Sequence, residues 1–294
     1  MILAGCTLAL AYSQIPTIHV AANLVLTPVW VADADGKAVY NLGAEDFQIE
    51  ENGIKIAAER LGEPGEAPIE LAMLFDLSGS VYSHFELERQ AASRFLSRTM
   101  RPCDSAFIVS VGNEPKILQE RSSSLDTVLQ AVAGITPTTQ ATAFYNSVVK
   151  AAGMLREVER PDARRAIIAL SDGEDNRSID NKLPDVLREL QLSNSLFYSI
   201  NPAGRTYSKN IISRRAQEGM ETLAQQTGGA SFVADNVEEL AEFYKRIADE
   251  LQGQYLLGYY SPAKTGVGIY RKIVIKVTGK PGLQVKARPG YYPR

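Results

Sequence analysis

Asp76, Ser78 and Ser80 stand two residues apart in LAMLFDLSGSVYSHF. The run that precedes Asp76 is apolar, so the carboxylate falls at the tip of a buried strand and the serines fall in the turn that leaves it. Alternate residues over a tight turn can converge on one point. Oxygen donors without imidazole or thiolate suit Mg²⁺, with Mn²⁺ or Ca²⁺ as alternatives, rather than Zn²⁺. Asp and Ser also cap helix N-termini, which gives the same pattern a purely structural use. Two further stretches tip the balance toward an ion. AIIALSDGEDN ends a second buried strand on Ser171-Asp172-Gly173, and TTQATAFYNSV puts Thr142 just ahead of a helical pattern. Two carboxylates and three hydroxyls would then surround one divalent ion.

Other chemistries fit less well. Asp33-x-Asp35-Gly36 begins like a calcium loop, but the later ligands are out of step and a hairpin turn explains it. Ser80 and His84 form no nucleophile elbow. Asp76 lacks the second carboxylate and lysine in DLSGS that a phosphoryl-accepting aspartate uses. No phosphate-binding or dinucleotide-binding glycine motif is present. The chain is therefore expected not to be an enzyme. GEDNRSIDNK reads as a solvated loop over the same strand ends. Tyr255, Tyr259, Tyr260, Tyr270, Tyr291 and Tyr292 read as packing of a small β unit with their hydroxyls exposed, and Trp30 as core.

The elements that must position these residues fall into zones. Residues 18–65 alternate apolar and polar as far as residue 62, with expected hairpins at Asp35-Gly36 and at Asn52-Gly53, and then enter the linker GEPGEAP. Residues 66–253 alternate apolar strands (IELAMLFD, AFIVSVG, AIIALSD, SLFYSIN, ASFVA) with amphipathic helices, the pattern of a mostly parallel sheet covered on both faces. Residues 254–294 return to strands. Neither flank has enough strands alone, so both are expected to form one β-rich domain into which the α/β domain is inserted.

Composition sets the remaining bounds. The chain has 294 residues, is 45% apolar and 22% charged, and carries a formal charge of −3, which points away from nucleic acid as a partner. Residues 1–17 are apolar and uncharged and read as an export signal, with a periplasmic, envelope or extracellular destination. LAGC resembles the bacterial lipoprotein box, with Cys6 as a possible lipid anchor. The only other cysteine is Cys103, so no internal disulfide is expected after cleavage. No later segment is long and apolar enough to be a transmembrane helix.

On these residues the chain resembles the von Willebrand factor A (VWA) domain family. That family's metal-ion-dependent adhesion site, MIDAS, uses D-x-S-x-S, then a threonine, then an aspartate at a later strand end. Asp76, Ser78 and Ser80 match the first element, Thr142 the second and Asp172 the third; the glycine usual before the threonine is Ala141 here. AQQTGGASFVADNVEELAEFY is similar to the family's last strand and helix. The flanks VADADGKAVYNLGAEDFQIEENG and YLLGYYSP…YRKIVIKV…LQVKARPGYY resemble the VWFA-related proteins described from Acidobacteria. The resemblance implies a Rossmann-like α/β fold and an ion held directly by hydroxyls, with the aspartates acting through water. It also implies a protein partner that supplies a Glu or Asp carboxylate to the ion. The reading is an exported binding module; its rival is a structural or assembly protein of the envelope in which the ion mainly stabilises the fold.

Overall fold

A computed structural model describes residues 24–78, 85–138, 141–206, 210–262 and 268–293. The described chain opens with strands β1 (Leu24–Ala32), β2 (Phe47–Glu51), β3 (Ile54–Ala57) and β4 (Arg60–Gly62). Strands and helices then alternate: β5 (Ile69–Asp76), α1 (Phe85–Thr99), β6 (Ser105–Val111), β7 (Lys116–Ser122), α2 (Leu125–Ala133), α3 (Phe144–Arg156), β8 (Arg164–Leu170), α4 (Leu183–Ser193), β9 (Ser195–Asn201), α5 (Ile211–Thr227), β10 (Ala230–Val233) and α6 (Val237–Gln252). Strands β11 (Tyr255–Tyr260), β12 (Arg271–Val277), β13 (Gln284–Lys286) and β14 (Gly290–Tyr291) follow.

Strands β5, β6, β8 and β9 are buried along their whole length, which is why they are apolar runs rather than alternating ones. They lie in a six-stranded sheet of order β10-β9-β8-β5-β6-β7, parallel except for β7. Side chains alternate across β5. Leu71, Met73 and Phe75 pack with Phe95 and Leu96 of α1, Val128 of α2 and Ile247 of α6. Ala72 and Leu74 pack on the other face with Val148 of α3, Leu190 of α4 and Leu223 of α5. The expected α/β architecture therefore holds. Strand β7 is an addition to it. Its sequence KILQERS is largely exposed at the sheet edge, and its register against β6 shifts between Ala106 and Val109, so no apolar run announces it.

The flanking strands form two four-stranded sheets, β13-β1-β11-β4 and β14-β12-β2-β3. Strand β1 pairs with β11 from Leu24↔Tyr260 to Val29↔Tyr255, and β2 pairs with β12 from Phe47↔Val277 to Glu51↔Ile273. Val29, Val31, Phe47, Ile49, Tyr255, Leu257, Tyr259 and Ile273 form their common core. The β2–β3 turn is the expected hairpin: Asn52 and Gly53 both take positive φ, 50° and 83°. The turn after β1 differs from expectation. Asp33 Oδ1 accepts the N–H groups of Asp35 and Lys37, but the returning arm makes only the isolated bridge Ala32↔Ala38, because β11 and β13 occupy the edges of β1.

Three of the tyrosines, Tyr255, Tyr259 and Tyr291, depart from expectation, while Tyr260 is exposed. The Tyr259 and Tyr291 hydroxyls donate to Glu51 Oε2 at 2.9 and 3.0 Å, and Tyr255 donates to Val39 O at 3.0 Å. Glu51 is buried and also meets Ser261 and Arg271, so the Tyr259 and Tyr291 hydroxyls satisfy an interior carboxylate instead of facing water. Where the flanks meet the α/β unit, the buried Arg164 of β8 donates to Ala67 O ahead of β5 and to Leu251 O at the end of α6. One guanidinium thus holds the chain's way into the α/β unit beside its way out.

Candidate metal centre

The chain passes from β5 to β6 on one side and later returns to β8 on the other, so the strand order reverses between β5 and β8. In parallel α/β sheets such a reversal is where ligands bind. Asp76 is the last residue of β5, and Asp172 lies just past the end of β8. Both side chains are buried.

Hydrogen bonds tie the predicted elements together. Asp76 Oδ1 accepts the Ser78 N–H at 2.9 Å, which sets the turn out of β5. Asp76 Oδ2 accepts the Ser171 hydroxyl at 2.6 Å, and Ser171 Oγ accepts the Gly173 N–H at 3.0 Å. Ser171 therefore joins the first carboxylate to the loop that bears the second. Asp172 Oδ1 accepts the Glu174 N–H at 3.0 Å. Gly173 has φ +73°, and a Cβ there would sit 2.7 Å from Met220 Sδ, so both conformation and space call for glycine.

Thr142 is buried on the loop before α3. That loop is fastened by Thr138 N to Leu77 O at 2.7 Å, by Ala141 N to Asn113 Oδ1 at 3.1 Å and by Ala143 N to Gly112 O at 2.7 Å. The segment after Asp172 is exposed at Asn176, Arg177, Ile179, Asp180 and Lys182, as its composition predicts, but it is also anchored to the loop and helix beside it. Asn176 and Arg177 bond both peptide groups of Thr142, and Asp175 and Ser178 bond the first amides of α3. On its other side Glu174 Oε1 accepts the Ser213 hydroxyl of α5 at 2.5 Å. The structure thus ties Asp76 to Ser78 and to Ser171 beside Asp172, and ties Thr142 to Asn176 further along the same loop. Ser80 and His84 lie outside the described residues.

Sequence reading missed Glu88. It falls on the buried stripe of α1 with Phe85, Ala92 and Phe95, and is 1% exposed. Its Oε1 has no hydrogen-bond partner among the described residues. Burial, then the charges of Asp76 and Asp172, push its carboxyl up to about 8. Burial also raises Asp76, against the hydrogen bonds from Ser171 and Ser78, and the charge acting on it is another carboxylate, Glu174. The spacing 85-88-92-95 is the signal that could have found Glu88.

A hard divalent ion fits this donor set: buried acids repel one another here, and hydroxyl oxygens stand beside them. Among the described residues no three His, Cys, Asp or Glu side chains form a ligand cluster alone, so a site here depends on the hydroxyls.

Residues 71–174 match the family model for the von Willebrand factor type A domain. The α/β unit has the VWA fold. A mussel byssus protein, proximal thread matrix protein 1, solved with zinc occupying its MIDAS motif, has a TM-score of 0.54 at 15% identity, over 70% of this chain and 50% of that one. BatB from Bacteroides thetaiotaomicron has a TM-score of 0.50 at 13% identity, over 62% of this chain and 98% of its own. The vWF domain of the pilus tip protein Mfa5 from Porphyromonas gingivalis has a TM-score of 0.50 at 12% identity, over 62% and 94%. At these identities the VWA likeness is one of fold. No curated protein matches the sequence. Among the described residues no helix is long and apolar enough to cross a membrane.

Proposed function

We propose that this VWA domain is an exported, non-enzymatic, metal-dependent protein-binding module. Asp76, Ser78, Ser80, Thr142 and Asp172 hold Mg²⁺, with Mn²⁺ or Ca²⁺ as alternatives, and residues 18–65 with 254–294 support the domain spanning residues 66–253. The observation that carries the reading is the cross-link of the three motif elements at the β5 and β8 ends through Ser171 and Asn176. Both oxygens of Asp76 already accept hydrogen bonds. That arrangement suits an acid that acts from behind while the hydroxyls of Ser78, Ser80 and Thr142 contact the ion.

When bound, the ion supplies an electrophilic position for an oxygen of the partner. Neutral hydroxyls leave most of its charge uncompensated, so a partner Glu or Asp gains more than a neutral oxygen. Their resemblance to VWFA-related flanking regions makes the β strands the module's mount, and the apolar N-terminus supports export, with Cys6 as a lipid attachment point.

The first test is thermal unfolding and calorimetric titration of the whole chain with Mg²⁺, Mn²⁺, Ca²⁺ and Zn²⁺ in turn. Zinc is included because the mussel protein holds it. An ion at roughly 10 to 100 times its Kd adds on the order of 1.4 to 2.7 kcal/mol to the folded state. Chelation should remove that increment, and Asp76→Ala should abolish the response. An unchanged response in Asp76→Ala would move the ion elsewhere.

A further inference from the structure

The geometry points to Asn176 as the residue that positions Thr142 for the ion, with Asp175 and Ser178 holding the helix behind it. This inference rests on the ion-site reading above. Thr142 belongs to neither a strand nor a helix, so no backbone ladder places it. Its N–H donates to Asn176 Oδ1 at 3.0 Å, and its carbonyl accepts the N–H groups of Asn176 and Arg177, both at 3.1 Å. The two peptide groups that flank the Thr142 Cα are therefore both bonded by residues shortly beyond Asp172. The threonine is thereby tied to the loop that bears the second aspartate.

Helix α3 shows the same dependence. Its N-cap position, Ala143, has no side chain able to accept from the first turn. The amides that an N-cap would satisfy go elsewhere: Tyr145 N donates to Asp175 Oδ2 at 2.7 Å and Asn146 N to Ser178 Oγ at 3.0 Å. Asp175 Oδ1 meanwhile accepts from Arg177 and Ser178, which bends the loop onto the helix. A negative charge at a helix N-terminus is favourable in itself. The segment after Asp172 thus serves as the cap of α3 from a distance. It holds the loop that carries Thr142, and the hydrogen bonds that Asn176 makes to Thr142 go to the threonine's backbone, which leaves its hydroxyl to the ion.

The test uses the whole chain, Mg²⁺ titrated by calorimetry, and amide hydrogen exchange in chelator. Outer partners of metal ligands commonly shift affinity by 10- to 100-fold, so Asn176→Ala should bind Mg²⁺ roughly tenfold more weakly or worse. The Thr142 amide should exchange faster, while the midpoint of unfolding in chelator moves little. Asn176→Asp keeps an oxygen acceptor and should restore both the affinity and the slow amide; it also covers the case in which Asn176→Ala fails to fold. Thr142→Ala and Asp76→Ala serve as site controls. Loss of Mg²⁺ binding in those two with wild-type affinity in Asn176→Ala overturns the positioning role alone. Equal loss in Asn176→Ala and Asn176→Asp also overturns it. No Mg²⁺ binding by the wild-type chain, or undiminished binding in the site controls, overturns the ion site and the positioning role together.

Discussion

Glu88 is a buried side chain with a direct consequence for how the protein responds to pH. It is wholly buried on α1, its Oε1 is unpartnered among the described residues, and the groups acting on it are Asp76, Asp172 and the apolar surroundings. Its carboxyl rises from an ordinary 4.5 to about 8. Between those values the folded chain keeps a proton that the unfolded chain has released. The contribution is therefore fully present below about pH 4.5 and is lost as pH rises toward 8, a swing on the order of a few kcal/mol. Tyr244 of α6 feels the same carboxylate and is pushed up, chiefly by burial. In chelator, denaturant unfolding from pH 5 to pH 8 should show stability falling, and Glu88→Gln should flatten that slope because the amide has no proton to lose. A wild-type slope of the opposite sign would mean that the carboxyl is compensated in the folded chain.

Helix α3 is stabilised by partners remote in sequence, and that can be measured separately from ion binding. The Asp175 carboxylate accepts the Tyr145, Arg177 and Ser178 amides. Replacing an N-cap side chain by alanine costs about 0.5 to 2 kcal/mol. Asp175→Ala should fall in that range in chelator, with faster exchange confined to the first turn of α3 and residues 174–178. A uniform rise in exchange over the whole α/β unit would show instead that the loop is part of the global folding unit. The edge strand β7 offers a contrast. It is polar and largely exposed, and its register is irregular, so its place comes from pairing with β6 rather than from its own side chains.

At the scale of the whole molecule, the flanking strands can be tested for acting as one unit. Leu257 of β11 is fully buried, pairs with Thr27 of β1 and Leu61 of β4, and packs in the core shared by both four-stranded sheets. Leu257→Ala should cost about 2 to 5 kcal/mol. Hydrogen exchange should then rise together in residues 24–57 and 255–291, with a smaller change in β5, β8 and β9. A rise restricted to residues 255–260 would contradict a common core. Arg164 limits how independent the units can be, since it bonds the chain on both sides of the junction.

The sequence by itself determined what is local and dense. Strands β5 and β9 and helix α6 are read from residue patterns to their ends, because a strand buried on both faces must be apolar throughout and an amphipathic helix must repeat every turn. The strand-end positions of Asp76 and Asp172 follow from those runs, and the Asn52-Gly53 turn from its own chemistry. Tertiary structure alone decided the rest. The side chain of Asn176 reaches Thr142, the hydroxyl of Ser171 reaches Asp76, and Glu51 gathers Tyr259 and Tyr291. Each of these joins residues far apart in the chain, and a polar residue's own neighbours in sequence do not say whether water or a distant partner will satisfy it. Glu88 makes the same point from the other direction. Its charge reads as surface, yet its place on the helix stripe carries it inside, where the fold and not the residue type fixes its chemistry.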